Sequence, residues 1–310
     1  MADPGLILVS GGAGVMGSRL VRQLAAAGRR VRVLTLPGDP GVARLEGAPC
    51  EIATGDIADA ATLAGVFDGV GTVYHLAALI IAPDEALLQR VNVEGTRNMA
   101  AGAAAAGVRH FIYVSSAAAS DPAGSVYAQS KADAEQIVKA AGRFQYTIVR
   151  PTLVYARDGG QEFMMFMDYL RKYPVIPFIG RGRAMKRPVH VDDMGQGLLA
   201  IAGSEKSYGK TYNFSGGEAI SIRDLARLML RLQGRFRPFV AVPLPLCRAA
   251  AWAMERTMAR PPLTRYAISR IAHEAATDNA EAQADLGIRF IGVTEGLRRC
   301  FSGDETWHGA

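Results

Sequence analysis

Residues 6–20 read LILVSGGAGVMGSRL: four apolar residues, a glycine-rich turn, then a helical pattern. Gly11, Gly14 and Gly17 stand three apart, between a strand-like run and a helix whose Leu20, Val21 and Leu24 fall on one face. Glycine lets a backbone turn tightly and come close to a phosphate, and the positive end of a helix favours the negative charge. A glycine triplet alone is weak evidence. Here the strand before it and the helix after it are both present, which predicts a dinucleotide-binding turn opening a doubly wound sheet.

The rhythm continues outward from that turn. VRVL (31–34), CEIATGD (50–56), TVYHLAA (72–78), FIYVSS (111–116) and YTIVRP (146–151) are short apolar runs separated by helical stretches. Strands that are apolar throughout, without alternation, belong in a sheet covered on both faces. The expected fold class is therefore α/β, a doubly wound parallel sheet. After Pro151 the alternation breaks. Residues 159–180 read as a helix and then a Pro- and Gly-rich loop, 188–202 as a short strand running into a helix, and 210–217 as another strand. Residues 221–234 read as a helix with Ser221 as N-cap, and the remainder as helix and loop. The expected organisation is a dinucleotide-binding domain over 1–155 and 187–215, with a smaller, mostly helical substrate lobe over 156–186 and 216–310.

Bulk properties exclude several classes. The 310 residues carry a formal charge of +6, scattered rather than blocked into runs, which argues against a nucleic-acid stripe. The nearest basic cluster, GRGRAMKRP (180–188), suits a small anionic ligand. Cys50, Cys247 and Cys300 are odd in number and show no metal-ligand spacing, so no metal is expected and a reducing, cytoplasmic setting is. The N-terminal MADPGLILVSGG lacks the pattern of a signal peptide. The apolar stretch 240–254 is too short to span a bilayer and contains Pro243, Pro245 and Arg248, so no integral membrane segment is expected.

The stretch SVYAQSKADAE (125–135) puts Tyr127 and Lys131 at i and i+4, on one face of a helix. A phenol ordinarily titrates near ~10, so base work near neutrality needs about 4 kcal/mol of help, which a nearby ammonium can supply.

Taken in order, the glycine turn, GDI with Asp56, HLAA (75–78), NVEGT (92–96), SS (115–116), YAQSK (127–131), RP (150–151) and HVDD (190–193) resemble the short-chain dehydrogenase/reductase superfamily, in its extended, epimerase-like branch. The likeness covers roughly residues 6–193. It implies that Tyr127 takes or gives the proton on the substrate oxygen, that Lys131 aids it and holds the nicotinamide ribose, and that Ser116 or Ser115 hydrogen-bonds the same oxygen. The epimerase pattern selects Ser116, which is preferred, while relatives with a shorter loop align better through Ser115. The implied cofactor contacts are Gly11, Gly14, Val15, Met16, Gly17, Thr35, Asp56, Ile57, Leu76, Ala77, Ala78, Asn92, Ser115, Tyr127, Lys131 and Pro151. The implied substrate contacts are Lys186, Arg187 and His190, the last equally readable as a satisfied histidine at a strand end.

The end of the second strand offers Thr35 and Leu36, neither the acid that would read NAD nor the arginine that would read NADP. Arg44 could fold back. NAD is preferred, with NADP as the alternative. Departures from the pattern narrow the chemistry. Ala117 and Ala118 follow Ser116 where sugar dehydratases carry an Asp-Glu pair, and Lys186 stands where an arginine is usual. Asp192 and Asp193 are expected to cap a helix beginning near Met194. The short interval between Ser116 and Tyr127 is similar to atypical members, among them the NADP(H)-holding accessory subunit of respiratory complex I. The expectation is an NAD(P)-dependent epimerase or dehydrogenase of a nucleotide sugar or of a sterol- or isoprenoid-like alcohol. The likeness also implies a homodimer formed through two helices of each cofactor domain. The rival is a non-catalytic dinucleotide-binding protein of an assembly or a redox sensor, which ought to have lost the Tyr or the Lys.

Overall fold

The computed structural model describes residues 5–82, 84–258, 268 and 277–302. Its chain packs as two units, Met1–Pro151 with Val191–Phe214 and Asp278–Arg289, and Thr152–His190 with Ser215–Thr277 and Phe290–Ala310.

The first unit is built on seven strands: β1 Leu6–Ser10, β2 Val31–Thr35, β3 Glu51–Thr54, β4 Val70–His75, β5 His110–Val114, β6 Gln145–Pro151 and, late in the chain, β11 Lys210–Phe214. Their order across the sheet is β11-β6-β5-β4-β1-β2-β3 and every pairing is parallel. The order reverses between β1 and β4. In such sheets a ligand crevice opens at that point, beyond the carboxyl ends of the strands. β1 and β5 are buried at every residue, as strands covered on both faces must be. β3 stops short of the expected 50–56 and β4 ends at His75, which leaves residues 76–78 in the loop beyond the sheet.

Helices cover both faces. α1 (Val15–Ala26) ends in a Schellman turn: Arg29 N–H reaches Leu24 O (3.0 Å), Gly28 N–H reaches Ala25 O (2.9 Å), and Gly28 takes the left-handed φ of 72°. α2 (Glu85–Leu88) runs through one π-helical segment, Gln89–Glu94, into α3 (Gly95–Ala105). α4 (Val126–Ala140) is capped by Ser125, whose hydroxyl accepts Ala128 N–H at 2.9 Å. Its buried face comprises Ala128, Ser130, Lys131, Ala134, Glu135 and Val138, so two charged residues point into the protein.

α6 (Val191–Ile201) begins at Val191, three residues before the expected start. Asp192 and Asp193 therefore lie inside its first turn rather than capping it, and Asp192 approaches Arg19 of α1 at 3.7 Å. The helix Ala280–Leu286 also belongs to the first unit, not to the lobe expected over 216–310. Tyr212 donates to Asp285 Oδ2 at 2.9 Å, and Lys210 to Glu281 Oε1 at 2.8 Å.

The second unit holds three strand pairs: β7 (Val154–Tyr155) with β10 (Val189–His190), β9 (Met185–Lys186) with β12 (Ile220–Ser221), and β8 (Ile176–Ile179) with β13 (Phe239–Val242). β8 forms where a loop is expected, because Ile176 and Phe178 alternate inward while Pro177 faces out. Around these lie α5 (Gln161–Lys172), α7 (Ile222–Leu232, capped by Ser221), α8 (Leu244–Thr257) and the helix Val293–Ser302. One core joins Phe163, Met167, Leu170, Leu225, Met229 and Leu297.

Candidate active site

The glycine turn sits where the sheet order reverses. Gly11 has a φ of 71°, and a Cβ there would fall 2.7 Å from Ala77 N, so the loop after β4 closes onto the turn only because that side chain is missing. A Cβ at Gly17 would meet Gly11 O at 2.1 Å, which is how α1 packs flush on the turn. The first helical bond runs from Ser18 N–H to Gly14 O (2.9 Å) and Gly14 supplies no side-chain cap. The amides of Val15, Met16 and Gly17 thus have no partner within the helix.

Other expected contacts line the same carboxyl edge. Thr35 ends β2 with its Oγ1 buried and without a partner among the described residues. Gly55 N–H bonds Thr35 O at 2.9 Å, which brings Asp56 beside β2. Asp56 Oδ1 accepts Ala58 N–H (2.8 Å) and Ile57 is buried. Leu76, Ala77 and Ala78 form the half-buried loop after β4, and Pro151 ends β6. Arg44 does fold back: its Nη1 donates to Ala13 O, inside the glycine turn, at 3.3 Å.

Lys131 is 1% exposed. Its Nζ donates to Val114 O at the end of β5 (2.9 Å) and rests over the Tyr113 ring, 4.3 Å from its centroid. Burial pulls its pKa down to about 7, against the opposing pull of Glu135 one turn on. Tyr113 is pushed up, first by burial and then by the charge of Tyr127, so its ring is a neighbour shared by Tyr127 and Lys131. Tyr127 itself is half-buried in the first turn of α4.

The two serines part company. Ser115 is buried and donates to Glu135 Oε1 at 2.6 Å. Arg150 grips the same carboxylate with two bonds, Nε at 2.8 Å and Nη2 at 2.6 Å, and this ion pair holds the guanidinium above its ordinary range. Ser116 is half-buried and accepts Ala118 N–H at 3.2 Å as the cap of a short 3-10 turn, Ala117–Ser120. Its own proton is directed at no partner among the described residues.

A second polar chain ties the crevice together. Thr96 Oγ–H donates to Asn92 O (2.6 Å), so at 3.0 Å it can only accept from His75 Nε2–H. That fixes the tautomer, and His75 Nδ1 accepts Ser10 Oγ–H at 2.6 Å. Burial, helped by the charge of Lys131, lowers the His75 pKa to about 3, so the ring is neutral. Asn92 spends its side chain on Leu79 N–H (2.8 Å), Leu79 O (2.9 Å) and Ser130 Oγ (3.1 Å), clamping the loop after β4 to α4. The sequence assigns no site role to Ser10 or Glu135, nor to His75, Thr96 and Arg150, although these three lie in the HLAA, NVEGT and RP stretches. The available signal was Glu135 at i+4 from Lys131 and i+8 from Tyr127, on one helix face.

In the second unit, Lys186 and Arg187 are half-buried, and Arg187 Nε is buried without a partner among the described residues. His190 is 0% exposed, edge-on to Tyr155 (centroids 5.3 Å apart) and 3.7 Å from Cys300 Sγ. It is thus buried within the second unit. No cluster of His, Cys, Asp or Glu suited to a metal occurs among the described residues.

A family model described as the NAD dependent epimerase/dehydratase family matches residues 7–215. A ceramide reductase of Caulobacter vibrioides is 36% identical over 197 residues, covering 64% of this chain and 61% of that protein's length. A 3 beta-hydroxysteroid dehydrogenase/Delta 5-->4-isomerase of Mycobacterium tuberculosis is 26% identical over 332 residues, 94% of this chain and 88% of the relative. Among solved structures, the dTDP-glucose 4,6-dehydratase DesIV of Streptomyces venezuelae, with NAD bound, superposes with a TM-score of 0.76 at 25% identity, covering 96% of each chain.

Proposed function

Since the chain belongs to the NAD dependent epimerase/dehydratase family, we propose that it is a nicotinamide-dependent oxidoreductase that interconverts a secondary alcohol and its ketone. The residues present suit the dinucleotide on three counts. Added Cβ atoms at Gly11 and Gly17 would fill the turn, the first amides of α1 are unclaimed, and Thr35 Oγ1 is buried and unpartnered among the described residues. When bound, the nicotinamide ring supplies the hydride donor or acceptor.

The chain's own groups handle the proton. Tyr127 accepts the substrate hydroxyl proton at its phenolic oxygen in oxidation and returns it in reduction. Lys131, as ammonium, stabilises negative charge on that oxygen. Ser116 donates its O–H to the same substrate oxygen, because the Ser115 proton is committed to Glu135. Glu135 and Arg150 keep Ser115 and α4 in register and hold a carboxylate near Lys131. The observation that carries this reading is the buried Lys131, pinned to the last carbonyl of β5 one turn beyond Tyr127.

NAD is the proposed partner. Thr35 and Leu36 provide no cation at the end of β2, and one Arg44 nitrogen is occupied by Ala13 O. Parallel NADH and NADPH titrations test this; tighter NADPH binding that vanishes in Arg44→Ala would reverse it. The substrate class favoured is an apolar alcohol or ketone. Ala117 and Ala118 supply no carboxylates for elimination, and the curated relatives just described act on a ceramide and on steroids. A nucleotide sugar is the second reading, favoured by the Nε of Arg187, which has no partner among the described residues. We assign self-association to α3 and α4, whose outer faces form a groove lined by Ala100, Ala104, Ile137 and Ala140.

The deciding experiment offers hydroxysteroids, long-chain 3-keto compounds and nucleotide sugars to the protein with NAD(H) while absorbance near the nicotinamide band is followed. Turnover of an apolar member, abolished in Tyr127→Phe, is expected. Silence across the whole panel would favour the non-catalytic rival.

A further inference from the structure

α8 has an unusual outer face. Leu246, Ala249, Trp252, Ala253 and Arg256 recur at helical spacing and are exposed, with Arg248 beside them. Leu246 is 61% and Trp252 46% open to solvent. The opposite face is spent on a small cluster in which Cys247 and Ala251 meet Ile179, Val242 and Leu244. A surface helix in water normally turns its apolar stripe inward and shows mixed charges outside. This one shows leucine, tryptophan and two arginines, and its single acid, Glu255, is half-buried.

The chain entering β13 has the same chemistry, with Phe236 at 86% exposure between Arg235 and Arg237. Residues 231–258 contain five arginines and one acid. The Arg256 guanidinium lies over the Trp252 indole, 4.1 Å from the ring centroid. An indole with a cation at its face is suited to the boundary between acyl chains and headgroups, where the ring is half-immersed and the guanidinium can fork onto a phosphate.

We propose that α8 lies flat on an anionic lipid surface, with Leu246 and Trp252 inserted among the acyl chains and Arg248 and Arg256 on headgroup phosphates. Charge complementarity selects this occupant. A second copy of the same face would set Arg248 and Arg256 against their own counterparts, and a neutral bilayer would leave the arginines without anions. Insertion is parallel to the surface. Fourteen residues span about 21 Å, and no helix among the described residues is long and apolar enough to cross a membrane. The inference does not depend on the proposed catalytic chemistry.

The test uses the full chain with two kinds of vesicle, phosphatidylcholine alone and an equimolar mixture with phosphatidylglycerol. Flotation with the anionic vesicles only, reversed by high salt, is expected. Arg248→Gln with Arg256→Gln should weaken binding by about thirtyfold, at roughly one kilocalorie per cation. Leu246→Ala with Trp252→Ala should abolish flotation while the melting temperature and circular dichroism stay those of the wild type. The chain's two tryptophans are Trp252 and Trp307, so Trp307→Phe leaves Trp252 as sole reporter; its emission should shift to the blue on anionic vesicles. Absence of flotation, equal binding to neutral vesicles, flotation with an unshifted Trp252, or a doubling of mass in solution that Trp252→Ala removes would each overturn the proposal.

Discussion

Lys131 in the first unit and His190 in the second are equally withdrawn from water, yet they keep opposite company. The ammonium of Lys131 is set among a strand-end carbonyl, the face of Tyr113 and the carboxylate of Glu135, itself claimed by Ser115 and Arg150. Its charge is balanced close to neutral pH, between the cost of burial and the pull of Glu135. His190 meets an aromatic edge and a thiol. Burial alone does not mark a functional base. What separates the two is convergence: several groups of opposing electrostatic effect meet at Lys131, at the carboxyl edge of a sheet whose glycine turn opens nearby, and our proposal of a catalytic role for Lys131 rests on that convergence.

That contrast can be broken experimentally. The largest expected effect is at Tyr127, where Tyr127→Phe should lower kcat by about a thousandfold with the fold intact, the usual worth of a positioned proton-transfer group. Steady-state rates with the best panel substrate measure it, and a loss of only a few-fold would remove Tyr127 from its role. Next comes Lys131→Met, which should cost on the order of a hundredfold in turnover. It should also stabilise the protein. With the folded-state pKa near 7 and the unfolded value near ~10.4, the folded chain binds fewer protons between those limits, so the penalty of burying Lys131 is complete below pH ~7 and fades as pH rises. Urea midpoints of the two proteins across that window should converge toward alkaline pH.

Glu135→Gln is smaller, about tenfold. Removing the carboxylate that raises the Lys131 pKa should move the alkaline limb of kcat/KM to lower pH by roughly one unit, a shift that loss of packing alone would not produce. Smallest in activity is His190→Leu. Turnover should stay within about threefold, while stability falls by about 1–3 kcal/mol as the Tyr155 and Cys300 contacts are lost. A hundredfold loss of kcat there, with stability unchanged, would place His190 among the substrate contacts.

Much of the first unit was legible because its signals are local. The turn around Gly11 needs glycine for backbone reasons, and fully apolar strands announce a covered parallel sheet. The proposed pair of Tyr127 and Lys131 was visible through its spacing. Their support was not. An acid at i+4 from a lysine ordinarily marks a solvated helix pair, and nothing in ADAEQ says that Glu135 turns inward to meet Arg150 from β6 and Ser115, the residue just after β5. The tautomer of His75 depends on where the Thr96 proton points, a three-dimensional fact. In the second unit, β8 was masked by Pro174 and Pro177, residues that suggest a loop until β13 pairs with the strand. Arg44 reaches the glycine turn from thirty-one positions away, beyond any local pattern.

The most direct test of the central claim is a calorimetric titration of NADH into the wild-type protein and into Gly11→Val. Wild type should bind one equivalent per chain. Gly11→Val should bind none, because its side chain would strike Ala77 and fill the turn. No binding to the wild type, or equal affinity in the two proteins, would contradict the assignment of this crevice to a nicotinamide dinucleotide.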